Sequence, residues 1–183
     1  NRIDGVECQL TDEDCGNQRF RRHKERVRVG KTEKRGAGLF VTEHHRTGSL
    51  IVEFRGEVLT RQAMEVRANI LGNRAWDYTM TLDGDAGRAR AHDHLILDAT
   101  HYATAARFAN HSCNGGNCYV ERWRVDGKWR IGLFAMHAIE ADAEVTFDYA
   151  GGRRGDEDSI FFTCTCGSEN CRSMRRGGRA NLG

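Results

Sequence analysis

Proline is absent from this 183-residue chain, although average usage near 5% predicts about nine. Nothing in the sequence accounts physically for that absence; punctuation falls to the Gly and Asp residues that bound its short apolar runs. Apolar stretches of about 18 residues or more are also lacking, as is a charged segment followed by an apolar one at the start. Neither a membrane span nor a signal peptide is visible, and the chain is expected to be soluble and intracellular. An excess of one charge is missing too: 28 Lys and Arg against 26 Asp and Glu leave a formal charge of +2, which implies no single partner. Long helices alternating with strands are not seen either, so a doubly wound α/β sheet and a dinucleotide-type fold are disfavoured.

What is present fits one domain with small appendages, large enough for a real core and for a single-domain catalyst. Asn1 rather than Met opens the chain, as expected of a fragment excised from a longer protein. Basic residues concentrate over 19–35, with nine Lys or Arg against two Glu, and again at Arg172, Arg175, Arg176 and Arg179. Such runs are either solvated faces or, if the fold brings them near a polyanion, phosphate-binding surfaces.

Strand-like runs fall at 26–29, 39–41, 50–58, 78–82, 95–97, 119–125, 129–136 and 145–147. Asp126-Gly127 between two of them is the cue for a type I′ hairpin. One helix is expected over 60–71, capped by Thr60, with Met64, Ala68 and Leu71 at i, i+4, i+7 beside Ala63, Val66 and Ile70. A second, short one is expected around 104–108. Gly36-Ala37-Gly38-Leu39 resembles the start of a phosphate-binding fingerprint. Position 41 is Val rather than Gly and no helix follows, so alone it reads as a flexible turn.

Seven cysteines are an odd number, and Cys164-x-Cys166-x₄-Cys171 suits a metal in a reducing compartment better than a disulfide framework. These three thiolates are one short of a tetrahedral structural zinc site. The fourth ligand must come from elsewhere.

Arg107-Phe108-Ala109-Asn110-His111-Ser112-Cys113, then Phe147-Asp148-Tyr149, then the Cys164-Cys166-Cys171 cluster resemble, in order and approximate spacing, the signature of SET-domain protein lysine methyltransferases. The resemblance runs from about Val27 to Cys171. It implies a β-rich α+β SET-domain fold of short curved sheets, a C-terminal pseudoknot and a zinc-binding post-SET tail. The implied segments are 1–26, 27–150 and 151–183. It also implies S-adenosylmethionine as cofactor, held by Gly36, Ala37, Gly38, Leu39, Tyr78, Arg107, Asn110, His111, Tyr149 and Phe162. Relatives often carry Trp where Ala37 stands, so an aromatic wall is missing here.

In the same family Tyr149 serves the methyl transfer, and Tyr78, Phe54, Phe147 and Tyr149 are candidates for an aromatic channel. Phe147 occupies the position of a Phe/Tyr switch, where Phe leaves room for products beyond monomethyl-lysine. The family's fourth zinc ligand corresponds to Cys113, with Cys118 as competitor; relatives have Cys-x-Pro-Asn-Cys where this loop runs from Cys113 to Cys118, one residue longer and without Pro. Cys8 and Cys15, with Gly16 to Phe20, resemble the end of the "associated with SET" segment of histone H3 lysine 36 methyltransferases, or are two unliganded thiols. Ile160-Phe161-Phe162 either covers the cofactor or packs as a short strand.

The implied function is methylation of a histone H3 lysine, foremost lysine 36, in the nucleus and on the chromosome. The partners would be the H3 tail and the nucleosome, with DNA touched by the basic segments and no membrane. Alternatives are lysine 9 or lysine 4 of H3, a non-histone protein, or a zinc-dependent chromatin-binding module without catalysis. Retained Tyr149 with Asn110-His111 argues against the last, because binding alone would not need them.

Overall fold

The computed structural model describes residues 5–7, 17–82, 95–149, 164–168 and 171. Two compact units are formed, one drawn from Asn1–Glu25, Val52–Arg107 and Glu121–Leu133, the other from Arg26–Ile51, Phe108–Val120 and Phe134–Gly183. Among the described residues the strands are β1 (Val27–Lys31), β2 (Ala37–Val41), β3 (Leu50–Phe54), β4 (Glu57–Thr60), β5 (Thr79–Thr81), β6 (Leu95–Asp98), β7 (Asn110–His111), β8 (Cys118–Val125), β9 (Lys128–Ala135) and β10 (Thr146–Phe147). One α-helix, α1 (Arg61–Leu71), and two 3₁₀ turns, Asn73–Trp76 and Ala105–Phe108, complete the set. The hydrogen-bonded orders are β1-β2, β3-β9-β8-β10-β7 and β4-β6-β5.

The first unit is built on β4, β6 and β5, which pair antiparallel. Thr60 caps α1 as expected, its hydroxyl accepting the Ala63 N–H at 3.2 Å. The expected apolar stripe is narrower than its spacing implied. Met64 is fully buried, with Ala68 packed beside it, but Leu71 stays 47% exposed and Ile70 78% exposed. The run 50–58, expected as one strand, is broken between β3 and β4 at Arg55-Gly56. There the backbone passes so close to Asp98 that a Cβ on Gly56 would lie 2.2 Å from its carbonyl oxygen. Asp126 and Gly127 both have positive φ, 51° and 74°, as a type I′ turn requires. The expected short helix at 104–108 is a 3₁₀ turn.

Two buried carboxylates in this unit, Asp98 and Glu53, are each paired with arginine. Asp98, 0% exposed, accepts from Arg67 at 2.6 Å and from the Thr100 N–H at 2.9 Å. Burial disfavours its carboxylate, yet the Thr100 hydrogen bonds and Arg67 outweigh burial and its pKa is lowered. Arg67 also donates to Glu57 at 2.7 Å, so one guanidinium ties α1 to β4 and β6. Glu53, buried in β3, is held by Arg55 at 2.7 Å and by Arg130. Arg130 in turn lies over the Phe20 ring, which packs on the fully buried Trp123.

The second unit joins the β1–β2 hairpin to a threaded arrangement. β10 runs parallel to β7, pairing Thr146 with Asn110 and Phe147 with His111, and Phe147 also pairs with Cys118 at the start of β8. Both flanking strands belong to one continuous segment, so 112–117 loops across β10. Ser112 N donates to Phe147 O at 3.0 Å and Asn117 N to Thr146 O at 3.1 Å. Gly116, φ +74°, presses its backbone on β10, and a Cβ there would meet Thr146 O at 2.4 Å. The strand passing under a loop matches the pseudoknot that the resemblance implied. Leu39, Val41, Ile51, Phe134 and Val145 are fully buried in this unit. Side chains of this size contribute roughly 1.5–3 kcal/mol each.

Two outcomes follow from this packing. Arg67→Met, which strands the Asp98 carboxylate, is expected to lower the unfolding free energy by about 3–5 kcal/mol at neutral pH. Because the Asp98 pKa is lowered in the fold, that contribution is full above the ordinary carboxylate range, and the difference between the two proteins narrows as pH falls through the folded value. Urea denaturation at two pH values reads it; a neutral-pH loss below about 1 kcal/mol contradicts the pairing. Gly116→Ala is expected to destabilise by more than about 1 kcal/mol, since positive φ and the Thr146 carbonyl both oppose a side chain. A melting temperature equal to that of the parent would show that the loop does not press on β10.

Candidate active site and cysteine cluster

Asn110 and His111 occupy β7, and Tyr149 follows β10 by two residues, so the threaded pairing carries the three to one place in the second unit. Asn110 Nδ2 donates to Ala37 O at 3.1 Å and to Glu144 Oε1 at 2.8 Å. With the amide nitrogen committed, the atom that Asn110 has left to offer is its carbonyl oxygen, an acceptor. Glu144 Oε2 accepts from Arg35 at 2.6 Å, and Arg35 also donates to His111 O at 2.9 Å. The Glu144 carboxylate thus joins the β1–β2 turn to β7. Gly38 lies directly against this pair, where a Cβ would meet Thr32 Cγ2 at 2.5 Å and Glu144 Oε1 at 2.9 Å. Asn117 clamps the other side, its Nδ2 donating to Glu144 O at 2.8 Å and its Oδ1 accepting from Thr146 N at 2.9 Å.

Tyr149 is 45% exposed, and its hydroxyl donates to Ala109 O at 2.8 Å. The proton of the phenol is spent on the main chain, which leaves oxygen lone pairs for a donor outside. Its ring packs against Phe147 at 4.8 Å between centroids and against His111 at 5.2 Å; Phe147 itself is buried. His111 is buried as well. Its Nδ1 accepts the Tyr149 N–H at 3.1 Å and its Nε2 lies 3.0 Å from Cys113 Sγ, so both ring nitrogens face protein atoms.

Of the other residues expected at the site, Gly36 has φ +71° with open space where a Cβ would be. Ala37 and Leu39 lie in β2, Ala37 exposed and Leu39 fully buried. Tyr78 and Arg107 belong to the first unit, where the Arg107 guanidinium stands 4.3 Å from the Tyr78 ring centroid and donates to Thr100 O at 2.9 Å. Tyr78 is 39% exposed and Phe54, in the same unit, is buried. Phe162, Ile160, Phe161, Cys8, Cys15 and the four C-terminal arginines lie outside the described residues.

The sulfurs of Cys113, Cys164, Cys166 and Cys171 all lie within 4.8 Å of one another, a group of four among the described residues. Cys113 Sγ to Cys164 Sγ is 3.6 Å. Burial pushes the Cys164 thiol up. It pushes Cys166 the same way, but hydrogen bonds from Ser168 and the Cys113 main chain prevail and bring it down to about 6. Cys118 is outside the group, buried in β8 with its thiol pushed up to about 12 by desolvation alone. Of the two, Cys113 is the one that the fold brings beside Cys164, Cys166 and Cys171.

Glu144, Arg35 and Asn117 were not singled out from the sequence. A Glu beside a short apolar run, an Arg within a basic run and an Asn in a Gly-rich loop each read as solvated. Only the topology, which sets them beside β7 and β10, gives them a role.

A family model described as SET domain matches residues 36–150. The chain is 38% identical over 160 residues to "Histone-lysine N-methyltransferase ASHR3" of Arabidopsis thaliana, covering 87% of this chain and 30% of that protein. It is 35% identical over 178 residues to "Histone-lysine N-methyltransferase, H3 lysine-36 specific" of Candida albicans, covering 93% and 20%. Against human "Histone-lysine N-methyltransferase SETD2" the identity is 33% over 183 residues, covering 97% and 7%. The chain thus spans less than a third of the length of each of these relatives. With the family match over most of the chain and the Asn110-His111 strand set against Phe147-Asp148-Tyr149, this chain belongs to the SET domain family.

Proposed function

We propose that the chain transfers a methyl group from S-adenosylmethionine to a lysine side chain of histone H3, foremost lysine 36, in the nucleus. The observation that carries the reading is the hydroxyl of Tyr149, a half-exposed residue, fixed by Ala109 O next to Asn110 and His111. The Candida albicans relative, named as H3 lysine-36 specific, supports the choice of substrate.

S-adenosylmethionine, when bound, supplies an electrophilic methyl carbon on a sulfonium. The residues suit it: with its amide nitrogen given to Glu144, Asn110 presents a carbonyl oxygen that would accept an N–H of the cofactor, and Gly36 leaves open space beside the turn. A lysine amine with a pKa of about 10.4 is neutral in only about one molecule in a few thousand at pH 7, and only the neutral form attacks. Aromatic walls disfavour the ammonium by desolvation. Phe147 and Tyr149 supply such walls in the second unit. The Tyr149 hydroxyl, its proton engaged by Ala109 O, accepts a hydrogen bond from the amine and orients it; alignment does most of the work. Phe147 lacks the hydroxyl that would crowd a methylated amine, which favours products beyond monomethyl-lysine.

The four cysteines suit structural zinc. Zn–S bonds of about 2.3 Å in a tetrahedron put sulfurs about 3.8 Å apart, in keeping with the 3.6 Å between Cys113 and Cys164. Nucleosomal DNA is the further partner. Arg21 is not available to it, being only 10% exposed and paired with Asp126; Lys24, Lys31 and Lys34 are exposed and suit phosphate contacts.

Tyr149→Phe is expected to lower methylation of nucleosomal H3 at least about 100-fold while leaving S-adenosylhomocysteine binding within about threefold, because the hydroxyl acts on the amine. Mass spectrometry of the histones and calorimetry decide it, and near-normal turnover would overturn the assignment. With Lys24, Lys31 and Lys34 changed to Glu, activity is expected to fall on nucleosomes and hold on free H3 tail.

A further inference from the structure

His111 is buried beside a sulfur of the cysteine group, and its two ring nitrogens have distinct partners. Nδ1 receives the main-chain N–H of Tyr149 at 3.1 Å, and a nitrogen that accepts carries no proton. The neutral ring must then bear its hydrogen on Nε2, which sits 3.0 Å from Cys113 Sγ. The Asp148 carboxylate, at 3.7 Å from Nδ1, is beyond hydrogen-bond length and does not compete for that edge. The geometry points to His111 as a positioning residue: its Nε2–H donates to the Cys113 thiolate, while its Nδ1 holds the backbone of Tyr149.

The inference rests on the reading of the cysteine group as a zinc site. A metal-bound thiolate keeps lone pairs after giving one to the cation, and a donated hydrogen bond offsets its remaining charge in a buried place. Such partners outside the ligand shell fix ligand orientation, and their loss costs about 10–100-fold in metal affinity. Here the same imidazole touches Tyr149, so one ring links the metal to the backbone of the residue proposed to orient the lysine. Loss of the metal would free Cys113 and loosen the ring's hold on Tyr149.

Two near-isosteric changes separate the edges. In His111→Gln the side-chain amide nitrogen reaches the position of Nε2 and keeps a donor toward sulfur. In His111→Asn the amide oxygen replaces Nδ1 opposite the Tyr149 N–H, and the donor toward sulfur is lost. Zinc release from the purified 183-residue chain into a chromogenic chelator is the readout, and it requires no turnover. The Asn variant is expected to release zinc about 10–100 times faster than the parent and the Gln variant within about threefold of it. Nitrogen-15 spectra of the parent's imidazole are expected to show the proton on Nε2. Equal release by the two variants, or a proton on Nδ1, overturns the inference while leaving the zinc site standing. Absence of zinc from the folded parent overturns the zinc reading itself, and this inference with it.

Discussion

The pairing of β10 on both edges by one continuous segment is the constraint on which the second unit depends. Phe147 is paired with His111 on one side and Cys118 on the other, so the short strand cannot shift register without breaking both. Two residues on, Tyr149 inherits that fixity, and its backbone and hydroxyl are each held by a further bond. A strand of two residues has little intrinsic stability. Its position comes from the loop that crosses it, and that loop is feasible because Gly116 has no side chain.

Around this thread the polar groups form a connected set. Glu144 receives Asn110 and Arg35, Asn117 closes on Glu144 O and Thr146 N, and Arg35 returns to His111 O. Buried or half-buried donors and acceptors are costly unless paired, so each bond here specifies where its partner sits. The amide of Asn110 is turned by Glu144 and Ala37, which settles the atom it presents. In the first unit Arg67 has the corresponding part, binding Asp98 and Glu57 and so tying α1 to its sheet.

Much of this was legible in the residues. The strand runs, the Thr60 cap, the Asp126-Gly127 turn and the cysteine spacing rest on local chemistry, and the fold keeps them to within a few residues. What was not legible depends on partners distant in the chain. Gly56 splits one apolar run because Asp98, 42 residues later, comes within a Cβ radius. The helical period could not say that Ile70 and Leu71 would stay exposed, since that depends on which elements pack against α1. Cys113 and Cys118 are equivalent as residue types, and only the thread turns one toward the group and buries the other in β8. The resemblance attached His111 to a cofactor; the fold surrounds its ring with Cys113 and Tyr149, contacts that neither neighbour in sequence reveals.

Native-state hydrogen exchange at the amides of Ser112, Asn117, Thr146 and Tyr149 tests the thread most directly, because these four groups bond the loop, β10 and His111 together. If the strand is locked on both sides, the four are expected to exchange at one shared rate, to be protected to the stability of the whole unit, and to be lost together as denaturant is added. Fast exchange at Thr146 and Tyr149 while Ser112 and Asn117 remain protected would contradict the account, since β10 would then move independently of the loop that is held to fix it.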